Sequence, residues 1–275
     1  MTCVFERDLN RFVFWKIGKE YALRPGARHQ RILEIISQGG HVDVETLSAE
    51  FAVSPATVRR DLAALGERGA LLRVYRGARR MTSASYEPPF PARAVINASA
   101  KAKIAETVNA MLEDRQTVIL DAGTTGVAIA ERLVERDLTI CTPSLRVANA
   151  LLPSSSIRLM VTGGIVRPHE QSLVGPSAIS IFESYHFDVY VMTVSALDAV
   201  NGLTEWNIED AAIKRAALAS AGRIIVACDS SKFGQTAFAR ICGIDAVDDI
   251  VTDDNLETST KLTFDALSAD LVVAS

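Results

Sequence analysis

Two adjacent arginines, Arg59 and Arg60, lie in the stretch Ser54-Pro55-Ala56-Thr57-Val58-Arg59-Arg60-Asp61-Leu62-Ala63-Ala64-Leu65. Guanidinium groups in such a setting can donate to guanine O6 and N7 or to phosphate oxygens. The later part of the chain carries a different chemistry. Four of its stretches, Asp121-Ala122-Gly123-Thr124-Thr125-Gly126, Thr142-Pro143-Ser144, Gly163-Gly164 and Asp229-Ser230-Ser231-Lys232-Phe233-Gly234, combine glycines with hydroxyls, a carboxylate at Asp121 and an ammonium at Lys232. Together they match a polyhydroxylated phosphate ester, because glycine lets a ligand approach backbone N–H groups and a following helix adds a positive dipole end. The first stretch has neither the GxxxxGK[ST] nor the GxGxxG spacing, which argues against ATP hydrolysis and dinucleotide binding.

The arginines need a helix to carry them. Ser54 is a good N-cap and Pro55 suits the first helical position, where no N–H is required. At about 100° per residue from Val58, Leu62 falls at about 40° and Leu65 at about 340°, one narrow apolar seam. Ala56, Arg60 and Ala63 face the other way, with Thr57 and Arg59 on the flanks. That outer face is small apart from its arginines, as a helix entering a major groove requires; the plainer alternative is an amphipathic helix with solvated arginines. Before it, Ile32, Leu33, Ile35 and Ile36 predict a helix over residues 28–38, stopped by Gly39-Gly40. Val42 and Val44 suit a short strand, and Asp43 caps a second helix with Leu47 and Phe51 inward. The order is that of a helix-turn-helix. Residues 70–78 alternate enough for a hairpin, a wing that would bring Arg73, Tyr75 and Arg76 to a DNA backbone or minor groove.

At 275 residues and 48% hydrophobic content the chain can bury two cores, one of them small. It contains no apolar run long enough to span a membrane, and charges interrupt the N-terminal residues where a signal peptide would be apolar. Cys3, Cys141, Cys228 and Cys242 lack metal-type or CxxC spacing, and the last three read as buried thiols suited to a reducing cytoplasm. His29, His41, His169 and His186 have no partner at informative spacing, and the late acids Asp248, Asp249, Asp253 and Asp254 read as solvated turn; neither a metal nor a cofactor is expected. The net charge of -4 is uneven: residues 24–80 carry ten Arg against six acids, whereas residues 81–275 carry 15 bases against 24 acids. One end is built to meet a polyanion and the other to do different work.

Residues 1–24 hold several aromatics without a clean period and receive no role. Residues 81–98, rich in Pro and Ser, read as a linker. Asn97-Ala98-Ser99 is formally a glycosylation sequon that a cytoplasmic chain would not use. Beyond lies an alternation of predicted helices (101–112, 126–135, 146–152, 209–221) and strands (117–121, 138–142, 159–162, 189–194, 224–228, 250–252, 271–273), hence an α/β body with a mostly parallel sheet. In such sheets small molecules bind outside the carboxyl ends of the strands.

Arg28-x3-Ile32-x3-Ile36, followed after 17 residues by Ser54-x2-Thr57-Val58-Arg59-Arg60-Asp61-Leu62, resembles the signature of the DeoR-type bacterial transcriptional repressors. The resemblance implies a winged helix-turn-helix over residues 25–80 that binds operator double-stranded DNA, with Arg28, Ser54, Ala56, Thr57, Arg59, Arg60, Arg73, Tyr75 and Arg76 as contacts. Family members usually have His-Gly-Gly-Ala where this chain has Tyr75-Arg76-Gly77-Ala78. The strings at 121–125, 163–164, Ser172-Leu173-Val174-Gly175-Pro176 and 229–234 are similar to those of the family's effector domain. For residues 99–275 the resemblance implies the fold of ribose-5-phosphate isomerase and the CoA transferases, a phosphorylated sugar effector and homo-oligomerisation as dimer or tetramer. Lys101 matches a family lysine, and Asp210 stands where Glu is common. The expected effector residues are Lys101, Asp121, Gly123, Thr124, Thr125, Thr142, Ser144, Gly163, Gly164, Asp210 and Lys232. Pro143 replaces a frequent Asn, losing an amide and a backbone donor. The reading is a non-enzymatic repressor of a carbohydrate operon, released by a phosphorylated metabolite; its alternative is a sugar-phosphate isomerase or transferase with a DNA-binding appendage.

Overall fold

The computed structural model describes residues 15–17, 20–79, 81 and 83–275, and the chain divides into two compact units with the break between Met81 and Thr82. In the first, β1 (Trp15–Ile17) pairs antiparallel with β2 (Glu20–Ala22); Phe5, Phe12 and Phe14 lie outside the described residues. Then come α1 (Pro25–Gly39), β3 (His41–Asp43), α2 (Val44–Glu50), α3 (Pro55–Glu67), β4 (Leu72–Val74) and β5 (Gly77–Arg79). Val44, expected in the strand, opens α2 instead. Gly40, at φ 71°, ends α1 and donates its N–H to Ile36, as the Gly-Gly stop predicts. Ile32, Leu33, Ile36, Leu47, Phe51, Val58, Leu62 and Leu65 are buried, so the apolar seams of the three helices do meet. β3, β5 and β4 form an antiparallel sheet in that order, the predicted wing.

The second unit starts with residues 83–98, and here the structure corrects the linker reading. They contain α4 (Phe90–Val95), their Ala84 carbonyl accepts from Phe238 N, and Glu87 and Arg93 form ion pairs within this unit. Composition alone hid this, because Pro and Ser report local backbone preference and say nothing of distant partners.

There follow α5 (Ala98–Met111), β6 (Thr117–Leu120), α6 (Gly123–Leu133), β7 (Thr139–Thr142), α7 (Leu145–Leu151), β8 (Arg158–Val161), β9 (Ile165–Val166), β10 (Leu173–Val174), α8 (Pro176–Ser184) and β11 (Phe187–Met192). The remainder comprises β12 (Ala196–Asp198), β13 (Gly202–Glu205), α9 (Ile208–Leu218), β14 (Ala221–Ala227), β15 (Ala239–Cys242), β16 (Asp249–Asp253), α10 (Thr258–Asp265) and β17 (Asp270–Ala274). Seven strands make one parallel sheet in the order β17-β16-β14-β11-β6-β7-β8. Alternation sends Val118, Leu120, Val189 and Val191 to the face covered by α5, α6 and α7, and Ile119, Tyr190 and Met192 to the face covered by α8 and α9. A small antiparallel sheet, β12-β13-β15, was not predicted; its strands are short and carry no long apolar run. Among the described residues no helix is long and apolar enough to cross a membrane. Cys141 and Cys228 are buried thiols, as expected, while Cys242 is half-buried.

The strand order reverses at β6 and β11. The chain leaves β6 toward β7 and β8, then returns to β6's other side and continues outward through β14. A crevice outside the carboxyl ends of β6 and β11 is where such a sheet binds ligands.

Candidate functional site

In the first unit the geometry sorts the expected DNA contacts into presented and spent. Ser54 caps α3 by accepting from Thr57 N at 3.2 Å. Ala56, Arg59 and Arg60 are exposed on the face opposite the buried Val58, Leu62 and Leu65, and Thr57 is half-exposed beside them. In the wing Arg73 is exposed and Tyr75 is 91% exposed. Arg76 sits at φ 62°, a left-handed position that favours the glycine of the family pattern, and its guanidinium pairs with Glu45 at 2.9 Å.

Arg28 is the correction. It is 5% exposed, and its guanidinium grips Asp61 through Nε at 2.6 Å and Nη2 at 3.1 Å while Nη1 donates to Leu23 O. It ties α1 to α3, and its burial withholds the guanidinium from DNA. His29 completes the cluster with Nε2 at 2.9 Å from Asp61. Burial works against the Asp61 carboxylate, but the bonds from Arg28 and His29 outweigh it and hold the pKa below its ordinary value.

In the second unit α6 starts at Gly123, three residues before the predicted start, so Gly123, Thr124 and Thr125 form its first turn. The N-cap, Ala122, offers no side-chain acceptor, which leaves first-turn N–H groups open. Gly123 has φ 93°, strained for any side-chain-bearing residue, and Gly126 lies so near the loop that a Cβ would stand 2.3 Å from Asp121 O.

Asp121 holds this loop in place and is not itself presented. It is 2% exposed; Oδ1 accepts from Ala122 N at 2.8 Å, Oδ2 from Thr193 N at 3.0 Å, and Oδ2 also takes the ammonium of Lys214. Lys214, from α9, lies 3.3 Å from Glu205 as well. Burial would lower its pKa, and the two carboxylates, Asp121 first, raise it well above the ordinary lysine value. Glu205 Oε1 accepts from Trp206 N at 2.9 Å, so contacts run unbroken from the α6 loop to Trp206.

Over the Trp206 ring lie two cations: Lys232 Nζ at 5.0 Å and the Arg93 guanidinium at 5.4 Å from the centroid. Lys232 Nζ makes no ion pair or hydrogen bond among the described residues. Burial lowers its pKa, against the pull of Asp229. Arg93 pairs with Glu87 and Glu170; Arg167 pairs with Glu87 and Asp210. Burial pushes Asp210 up to about 6 and Glu170 up to about 7, with Arg167 and Arg93 respectively opposing. Asp210 accepts from Ser172 Oγ at 2.8 Å, and Ser172 bridges to Ser144.

Other expected ligand groups are corrected in the same way. Lys101, 6% exposed, gives its ammonium to the carbonyls of Arg93 and Ile96 near the end of α4; burial lowers its pKa to about 8. Thr142 is fully buried, its Oγ1 accepting from Ser144 N, and Ser144 Oγ caps α7 through Val147 N. Thr125 is 7% exposed, behind Gly123 and Thr124. Gly163 is open, whereas a Cβ on Gly164 would meet Val174 O at 2.5 Å, a packing requirement. Sequence reasoning missed Arg93, Arg167, Glu170, Glu205, Trp206 and Lys214; except for Glu205, which pairs with Lys214 nine residues on, their partners lie far along the chain.

Residues 28–84 match the DeoR-like helix-turn-helix domain, and residues 96–254 match the DeoR C-terminal sensor domain. The chain belongs to the DeoR family. DeoR-type relatives include the glycerol-3-phosphate regulon repressor of Escherichia coli K12, 32% identical over 82% of this chain and 90% of that protein. The transcriptional regulator GlpR of Haloferax volcanii is 34% identical over 86% and 93%, and the repressor AccR of Agrobacterium fabrum 31% over 90% and 97%. Among solved structures, ribose 5-phosphate isomerase A of Methanocaldococcus jannaschii aligns over 50% of this chain and 55% of that one, at 14% identity and a TM-score of 0.38. As a DeoR protein the chain is a DNA-binding transcriptional regulator.

Proposed function

We propose that the protein represses a carbohydrate-use operon by binding its operator through α3 and the β4–β5 wing, and that a phosphorylated sugar or related metabolite releases it. The observation that carries the effector assignment is the pairing of an uncapped α6 N-terminus, opened by Gly123, with a lysine at Trp206 whose Nζ makes no ion pair or hydrogen bond among the described residues. Phosphate is the ligand that uses both. Asp210 and Ser172 supply the polar groups for a sugar's hydroxyls. No catalysis is required of the site: Asp121 and Lys214 neutralise each other, and ribose 5-phosphate isomerisation is expected to be undetectable. A homo-oligomer would present two recognition helices to spaced half-sites. Release then demands that the effector favour an arrangement with misplaced half-sites, since equal affinity for both arrangements shifts nothing.

Arg59→Ala and Arg60→Ala are each expected to weaken operator binding by about 1–3 kcal/mol where the side chain reads a base, or to lower the salt slope by about one where it meets a phosphate. Fluorescence anisotropy on duplexes from the neighbouring promoter region measures both; unchanged binding in both variants removes α3 from the interface. For the sensor unit, a panel of sugar phosphates that includes glycerol 3-phosphate should raise thermal stability, by about 2.7 kcal/mol at a concentration 100 times the dissociation constant. Gly123→Val should abolish that gain, because valine is strained at φ 93° and crowds the first turn, while operator binding persists. Normal stabilisation of this variant would refute the site.

A further inference from the structure

Residues 83–98 follow directly on the unit that carries α3, and they are held to the sensor unit by ion pairs and hydrogen bonds around half-buried side chains. No residue of α4 is buried. The segment's polar contacts are Glu87 with Arg167, Arg93 with Glu170, Lys101 on the Arg93 and Ile96 carbonyls, Asn97 Nδ2 on Asp229 at 2.8 Å, and the Ala84 carbonyl on Phe238 N, and beside them the Phe90 ring lies 4.0 Å from the Arg146 guanidinium. A hold made of hydrogen bonds and ion pairs yields to a competing ion more readily than one made of apolar burial.

Its central member is Arg93. The guanidinium shares the Trp206 ring with Lys232, so two cations converge on one indole. An anion bound by Lys232 therefore lies near a second donor. On its other side Arg93 belongs to a cluster of two guanidiniums, its own and Arg167's, among three carboxylates, Glu87, Glu170 and Asp210. The cluster has one carboxylate too many: among the described residues Glu170 pairs with Arg93 alone, Asp210 with Arg167 alone, and Glu87 with both. Like charges this close favour giving up one of the anions. A phosphate, with two charges and a fork-shaped set of oxygens, is the better partner for a guanidinium.

We propose that Arg93 is an effector-binding residue supplied by residues 83–98, and that it leaves Glu87 and Glu170 for the effector's phosphate, so that filling the site loosens the segment leading to the DNA-reading unit. This rests on the reading of the α6 crevice as a phosphate site. It makes the segment the part of the sensor unit that senses occupancy.

The test uses the full chain with inorganic phosphate as the probe. The chain has two tryptophans, so a Trp15→Phe background leaves Trp206 as the only indole reporter. Phosphate should change Trp206 emission saturably. Arg93→Met should weaken the phosphate response by about tenfold or more, Arg93→Lys should recover part of it, and Glu170→Gln should tighten it roughly threefold, because the competitor is gone. Tightening is a sign that mere damage to the fold does not produce. Hydrogen exchange of peptides spanning residues 83–98 should rise on adding phosphate. If Gly123→Val abolishes the phosphate response while the Arg93 and Glu170 variants leave it unchanged, the role of Arg93 is overturned and the crevice assignment stands. If the parent shows no response to phosphate, the crevice assignment falls first, and this proposal with it.

Discussion

Lys214→Met is expected to remove about 3–5 kcal/mol from the sensor unit, a large part of the 5–15 kcal/mol that holds a typical domain folded. The ammonium is 4% exposed and stands between Asp121 and Glu205 while donating to Thr193 O at 2.9 Å. Methionine fills a similar volume but leaves two carboxylates facing each other without a cation in a low-dielectric interior. Tyr190 stands nearby with its hydroxyl buried, and a neutral phenol cannot replace the charge of the ammonium. Because Asp121 fixes Ala122 and Thr193, the α6 loop should lose its shape and the response to sugar phosphates should vanish together with stability. Urea denaturation followed by Trp206 fluorescence measures the first effect. Adding Asp121→Asn to Lys214→Met should restore part of the loss, since the two sites share one ion pair and their effects are not additive. A loss below about 1 kcal/mol would mean that the triad is solvated and that its geometry does not set the loop. The sign of the linkage is definite: the folded pKa of Lys214 lies above its ordinary value, so its contribution is complete below that value and fades only in strong alkali.

Asp61→Ala should do comparable harm to the first unit. It strands Arg28, 5% exposed, without the carboxylate that takes two of its donors, at a cost of about 3–5 kcal/mol for an uncompensated buried charge. A unit this small has less apolar burial to absorb the loss. Operator binding should therefore disappear, although Asp61 lies on the buried side of α3, away from the exposed Arg59 and Arg60. The pH dependence separates this from a surface effect. Asp61's folded pKa is depressed, so its stabilisation is present above the ordinary aspartate pKa of about 4 and is lost as pH falls through the folded value. Thermal unfolding between about pH 2 and 6 should show that loss in the parent and lack it in the variant. Operator affinity that survives Asp61→Ala at neutral pH would show that Arg28 finds water or another partner and that the pair is dispensable.

The sequence by itself determined the three helices of the first unit and the seven strands of the large sheet. Ser54 and Pro55 start α3 through local backbone chemistry, the Val58, Leu62 and Leu65 spacing chooses its buried face, and the alternating apolar runs of β6 and β11 require a sheet covered on both sides. It also separated the basic front from the acidic body and pointed to the turn after β6. Each of these is a matter of nearest neighbours or of period, which one strand of text contains. Availability of charge was decided only in three dimensions. Arg28 with Asp61 spans 33 residues, Glu170 with Arg93 77, Arg167 with Glu87 80 and Lys214 with Asp121 93. No spacing rule encodes such pairs, yet they decide that Arg28, Lys101 and Asp121 are consumed in holding the fold, that Lys232 makes no ion pair among the described residues, and that a segment resembling a linker is bound to the sensor. The physical reason is that a buried charge takes whichever opposite charge the packed core brings near it, and the packing exists only once distant parts of the chain have met.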